Sequence, residues 1–171
     1  KFLTEFVYDN IYGGSEEGLF EASRNGKHGH IDINGREIIP CMYDKGHYFS
    51  EGVASESLNG KWGMVDYFNN TVIPFEYDEI FASKNNLISA KKNGKWRLMN
   101  KNNEIVVDFL YDDIYNYCSR ECLVYPAKQG DKWGLIDRYG NIVEDFIYDA
   151  IEDISDAEDI AGEILWIKKD S

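Results

Sequence analysis

Short apolar runs, each closed off by turn residues, recur along the whole chain and predict many short strands joined by tight turns. One set of runs starts just after a small or turn-prone residue. Leu19-Phe20-Glu21-Ala22-Ser23 follows Gly18, Val53-Ala54-Ser55-Glu56-Ser57 follows Gly52, and Leu87-Ile88-Ser89-Ala90-Lys91 follows Asn86. These runs lead into Asn25-Gly26, Asn59-Gly60 and Asn93-Gly94, and Gly130-Asp131 holds the corresponding place further on. Asn-Gly is a strong hairpin signal, because a type I′ turn places both central residues at positive φ. A lysine and then an aromatic position follow: Lys27-His28, Lys61-Trp62, Lys95-Trp96 and Lys132-Trp133. Beyond them come Asp32, Asp66, Asn100 and Asp137, then Gly35, Asn69, Asn103 and Gly140. That spacing predicts an Asx-type turn, with the side chain capping the backbone and the last residue left-handed. The next strand runs into Pro40 or Pro74, which places its end at a sheet edge or a bulge.

These features keep one period. Tyr-Asp occurs at Tyr8, Tyr43, Tyr77, Tyr111 and Tyr148, in steps of 35, 34, 34 and 37 residues. Trp62, Trp96 and Trp133 step by 34 and 37 in the same register, with His28 in the matching place upstream. An aromatic ring precedes the Tyr by two in four copies, at Phe6, Phe75, Phe109 and Phe146. The reading is all-β: tandem repeats of three short antiparallel strands, about five of them, bounded near the five Tyr-Asp pairs. One such unit buries too little by itself, so neighbours must stack to form the core.

The run Asn59-Gly60-Lys61-Trp62-Gly63-Met64-Val65-Asp66, then Val72-Ile73-Pro74 and Tyr77-Asp78, resembles the bacterial WG (KWG) β-repeat. Phe49-Ser50-Glu51-Gly52-Val53-Ala54 matches the stretch that precedes its turn, and the likeness covers essentially the whole chain. Departures are His28 for Trp, Arg97 for Gly, and Asp108 and Asp145 where Pro is expected. The resemblance implies a non-enzymatic repeat module with no catalytic residues. Units this short favour an open, solenoid-like superhelical array over a small closed propeller-like ring. The expectation is a single repeat domain spanning 1–171. Both ends fall inside a repeat in this register, so a longer parent protein is expected.

Composition adds exclusions. The net charge of −13 disfavours nucleic acid and anionic membrane surfaces. No apolar run is long enough to span a bilayer, and the compartment is left open, since any signal segment would lie outside the chain. Cys41, Cys118 and Cys122 have no disulfide or zinc spacing. His28 and His30 share a strand face, with Cys41 or His47 as conceivable further zinc ligands, but His28 fills a tryptophan slot and no metal site is assigned. The acidic run Asp153, Asp156, Glu158 and Asp159 lacks the spacing of a calcium loop and reads as a solvated insertion. No nucleophile, phosphate-loop or dinucleotide motif is present, and no cofactor is implied.

The regular residues read as structural: the tryptophans as core, Gly63 and Gly134 as points of close backbone approach, and the Tyr-Asp aspartates as acceptors at turns. Left over are Tyr12, Tyr48, Phe81 and Tyr115, which form the candidate binding stripe for a protein or peptide partner. The alternative role is a structural spacer in a larger protein.

Overall fold

The computed structural model describes residues 7–82, 87–115, 124–152 and 166–168, and every element among them is a strand. They are β1 (Asn10–Gly14), β2 (Leu19–Arg24), β3 (Lys27–Asp32), β4 (Glu37–Tyr43), β5 (Lys45–Gly46), β6 (Val53–Leu58), β7 (Lys61–Asp66), β8 (Thr71–Tyr77), β9 (Glu79–Ala82), β10 (Leu87–Lys92), β11 (Lys95–Asn100), β12 (Ile105–Tyr111), β13 (Asp113–Ile114), β14 (Val124–Gln129), β15 (Lys132–Asp137), β16 (Ile142–Tyr148), β17 (Ala150–Glu152) and β18 (Trp166–Lys168). They form four four-stranded antiparallel sheets in tandem, each meandering in chain order from β1, β5, β9 and β13, and a β17–β18 pair. None of the sheets closes into a barrel. By contacts the chain divides into two compact units, Lys1–Ala82 with Lys101–Asn103, and Ser83–Asn100 with Glu104–Ser171.

The repeat has one strand more than its apolar runs suggest. Two of the three long strands are those expected, the third runs on past Pro40 and Pro74 to Tyr43 and Tyr77, and a short strand is added just after each Tyr-Asp. β5 and β13 are two residues long, too brief to leave an alternation of their own.

The turns obey their residues. Asn25-Gly26, Asn59-Gly60 and Asn93-Gly94 all have positive φ at both positions, as a type I′ turn requires. In the fourth hairpin only Gly130 does, at 62°, so glycine leads there. Asp66 Oδ1 accepts the Phe68 and Asn70 amides at 2.9 and 2.8 Å, and Asp137 repeats the pattern with Tyr139 and Asn141. Asn69 and Asn103 sit left-handed at 62° and 61°.

The glycine of the Trp-Gly pair answers to the next strand. β7 and β8 pair Trp62 with Tyr77 and Met64 with Ile73, so β8 bulges opposite Gly63, and Pro74 sits in that bulge on an edge strand. A Cβ on Gly63 would lie 2.7 Å from the Ile73 carbonyl oxygen, and one on Gly134 2.7 Å from that of Glu144. Where Arg97 takes this slot, its guanidinium lies 3.9 Å from the Phe109 ring centroid and bonds Asp108 at 2.5 Å. Asp108 stands where the first two repeats carry proline. Two of the departures from the family pattern therefore pair with each other.

In the first unit Leu19, Ile39, Tyr43, Phe49, Ala54 and Val65 form an apolar cluster. In the second, Leu98, Tyr111, Ile114, Tyr125, Ala127 and Ile136 cluster with Leu87 and Trp96.

Candidate functional site

Within each unit, Tyr-Asp pairs tie one repeat to the next. Tyr43, Tyr77 and Tyr111 are buried, more deeply than turn residues usually are. The aspartates clamp hairpins. Asp44 accepts Lys27 Nζ at 2.5 Å through one oxygen and the Gly60 amide of the next hairpin at 3.1 Å through the other. Asp112 does the same with Lys95 at 2.6 Å and Gly130 at 2.8 Å. Lys61–Asp78 and Lys132–Asp149 continue the ladder. These hydrogen bonds hold the Asp44 and Asp112 carboxyls below the usual aspartate range. The lysine before the tryptophan and the aspartate after the tyrosine are thus two ends of one structural contact.

The candidate stripe lies on and beside the short first strands. Tyr12 is in β1, Tyr48 follows β5, Phe81 is in β9 and Tyr115 follows β13. The first three belong to the first unit, are 40 %, 51 % and 42 % exposed, and Tyr115, in the second unit, is half-buried. They are not one equivalent set. Tyr12, Phe81 and Tyr115 stand four residues after the Tyr of Tyr-Asp, but in the second repeat that position is His47, and Tyr48 is one further on. The slot also serves packing, since Tyr12 stacks on His28 at 6.2 Å between ring centroids, and His47 on Trp62 at 5.0 Å. The tryptophans are less uniformly core than expected. Trp96 is buried, whereas Trp62 and Trp133 are half-buried.

A second cluster lies between the first and second sheets. His28 Nδ1 is 2.5 Å from Glu21 Oε1, and His30 Nε2 is 2.6 Å from Glu56 Oε1. The second pair is fully buried, with side-chain exposures of 1 % and 0 %. Burial is the main cause that drives the Glu56 carboxyl up to about 9 and the His30 imidazole down to about 4. Near pH 7 the pair therefore holds one proton between them, along the contact of Glu56 Oε1 with His30 Nε2. The two histidines that share a strand face thus engage separate carboxyl groups. Cys41 lies 3.7 Å from the Ala22 carbonyl as a weak donor, and burial pushes its thiol up to about 11. Among the described residues, no group of three or more His, Cys, Asp or Glu is placed to hold a metal. Cys118, Cys122 and the acidic run Asp153, Asp156, Glu158 and Asp159 lie outside the described residues.

In the sequence His30 stands out only as a conceivable metal ligand, and Glu56 does not stand out at all. The signal that finds them is slot-by-slot comparison of repeats, since both stand where sibling repeats are apolar.

The family model described as WG containing repeat matches residues 29–62, 62–96, 96–133 and 133–171 in succession. The chain belongs to the WG-repeat family, a non-catalytic repeat type, and the three internal match boundaries fall on Trp62, Trp96 and Trp133. No curated protein matches the chain.

Proposed function

We propose that this chain is a non-enzymatic binding module that engages a protein or peptide through the aromatic residues of its first strands. What supports the reading is the exposure of Tyr12, Tyr48 and Phe81 in one unit whose core is already filled by other residues. Aromatic side chains present large area at little entropic cost and dominate interface energetics. The Tyr-Asp, Trp-Gly and Asx-turn residues are consumed by folding, and no nucleophile with an adjacent base stands out among the described residues. Selection from a displayed peptide library tests this, comparing the wild-type chain with a Tyr12→Ser/Tyr48→Ser/Phe81→Ser variant. Peptides enriched by the wild type and lost with the variant, while the variant keeps the wild-type circular dichroism spectrum, are the expected result. Equal enrichment by both removes the stripe. No enrichment by either removes binding and leaves a spacer.

A further inference from the structure

Three slots recur where one repeat meets the next. The middle of the third strand supplies His30, Met64, Leu98 and Leu135. The residue two after the aspartate of Tyr-Asp supplies Ile11, Gly46, Ile80 and Ile114. The middle of the second strand supplies Ala22, Glu56, Ala90 and Ala127. The last two slots face each other across a strand pair, as Ile11 with Ala22, Gly46 with Glu56, and Ile114 with Ala127. In the second unit Leu98, Ile114 and Ala127 belong to one apolar cluster. In the first unit the corresponding set is His30, Gly46 and Glu56.

The three departures answer one another. Glycine in place of isoleucine vacates the volume that glutamate in place of alanine takes up: a Cβ on Gly46 would lie 2.6 Å from Glu56 Oε2. The histidine from the preceding repeat then meets the glutamate at 2.6 Å. Independent drift at three positions would leave an overfilled core or a buried polar group without a partner, each destabilising. The arrangement also has no slack. Among the described residues His30 Nδ1 and Glu56 Oε2 have no hydrogen-bond partner and are buried, so none of those residues stands ready to solvate a charge on either ring or carboxyl.

We propose that His30, Glu56 and Gly46 form a proton-dependent latch that holds the second repeat on the first while the pair keeps its single proton and loosens when that proton is lost. The titratable groups that face the pair are Glu21 from β2, His28 from β3, Tyr43 from β4 and, through Glu21, His47 beyond β5. β5 and β7 present glycines to Glu56, Gly46 and Gly63. Glu21 is itself engaged by His28.

The pH window follows from proton counts. The folded pair holds one proton between about 4 and about 9. The unfolded chain, with ordinary values of 6.5 for His and 4.5 for Glu, also holds one between those two values, so the pair gives no slope there. Above 6.5 the unfolded pair holds none, the folded pair still holds one, and stability falls as pH rises, by about tenfold in the unfolding constant per pH unit. The fall ends near 9, where Glu56 ionises in the folded state. Below 4.5 the unfolded pair holds two, and stability declines again toward the folded His30 value.

Urea unfolding of the full chain across the alkaline window tests the latch. Histidine ring signals in NMR serve as the readout, because the three histidines all lie in the first unit. The wild type is expected to lose about tenfold per pH unit between neutral and about 9. A Glu56→Gln variant keeps the shape without the ionisation and should show only the shallow fall close to 9 that the raised Cys41 thiol gives every variant, as should His30→Leu/Gly46→Ile/Glu56→Ala, which restores the sibling residues. A flat wild type, or a slope as steep as the wild type's in either variant, overturns the proposal. A second measurement does not depend on the variants folding: the Glu56 carboxyl carbon signal in the wild type should shift near 9 and stay constant near 4.5. A shift near the ordinary value overturns the latch.

Discussion

The second unit packs Leu98 with Ile114 and Ala127, and the first fills the same slots with His30, Gly46 and Glu56. The apolar set stabilises by area removed from water, at roughly 25 cal/mol per Å², and is indifferent to pH. The polar set gives up part of that area and gains a buried hydrogen bond with a net contribution of about 0.5–1.5 kcal/mol. What it adds is selectivity. In an array of near-copies, an apolar face accepts any sibling, whereas His30 Nε2 finds a partner only in a repeat that brings both a glutamate and the glycine that makes room for it. A buried polar contact that fixes which neighbour docks is the best-attested use of such pairs.

The largest expected effect comes from forcing the polar residue onto the apolar side. Ala127→Glu places a carboxyl opposite Ile114 with no histidine to meet it, and should cost about 3–5 kcal/mol or more, enough to unfold the second unit. Urea denaturation followed by tryptophan fluorescence reads this directly, and a loss below about 1 kcal/mol would mean that the slot tolerates charge by opening to water. The reverse change is smaller. Gly46→Ile drives a side chain into Glu56 and should cost about 1–3 kcal/mol. Adding Glu56→Ala creates the missing space, so the double variant should be more stable than the sum of the two single changes implies, by about 0.5–3 kcal/mol of coupling. Strict additivity would show that the two residues do not share volume.

How much of this could be read from the sequence depends on how local the cause is. The period, the hairpins and the Asx turns were legible because each is written in adjacent residues: Asn59-Gly60 at its type I′ turn, Asp66 capping its own loop. The bulge was legible in Pro74, which cannot donate to a ladder. The fourth strand was not, because β5 and β13 are paired through two residues each and leave no alternation. The aromatic residues Tyr12, Tyr48, Phe81 and Tyr115 could be picked out in the sequence, but Tyr48 stands one position out of register, since a histidine occupies the aromatic slot of that repeat. The polar junction was hidden for a different reason. His30, Gly46 and Glu56 are 16 and 10 residues apart along the chain, and each looks like an isolated oddity until strand pairing and stacking bring them together.

The smallest effect tests what the two units share. Asp44 and Asp112 each accept a lysine from one hairpin and a glycine amide from the next, with bond lengths that differ by no more than a few tenths of an ångström. Asparagine keeps the shape and an acceptor oxygen and removes the charge. Both ion pairs are substantially exposed, so solvent and salt screen them. Asp44→Asn and Asp112→Asn should therefore each weaken the fold slightly, less than any of the core changes, to the same extent in the two units, and less at high salt than at low. Urea midpoints at two ionic strengths measure this. An unequal loss, with Asp44→Asn far more damaging, would mean that the ladder of clamps is what distinguishes the units. Equal losses leave the difference where the slots place it, in whether a repeat offers its neighbour a methyl group or a carboxyl.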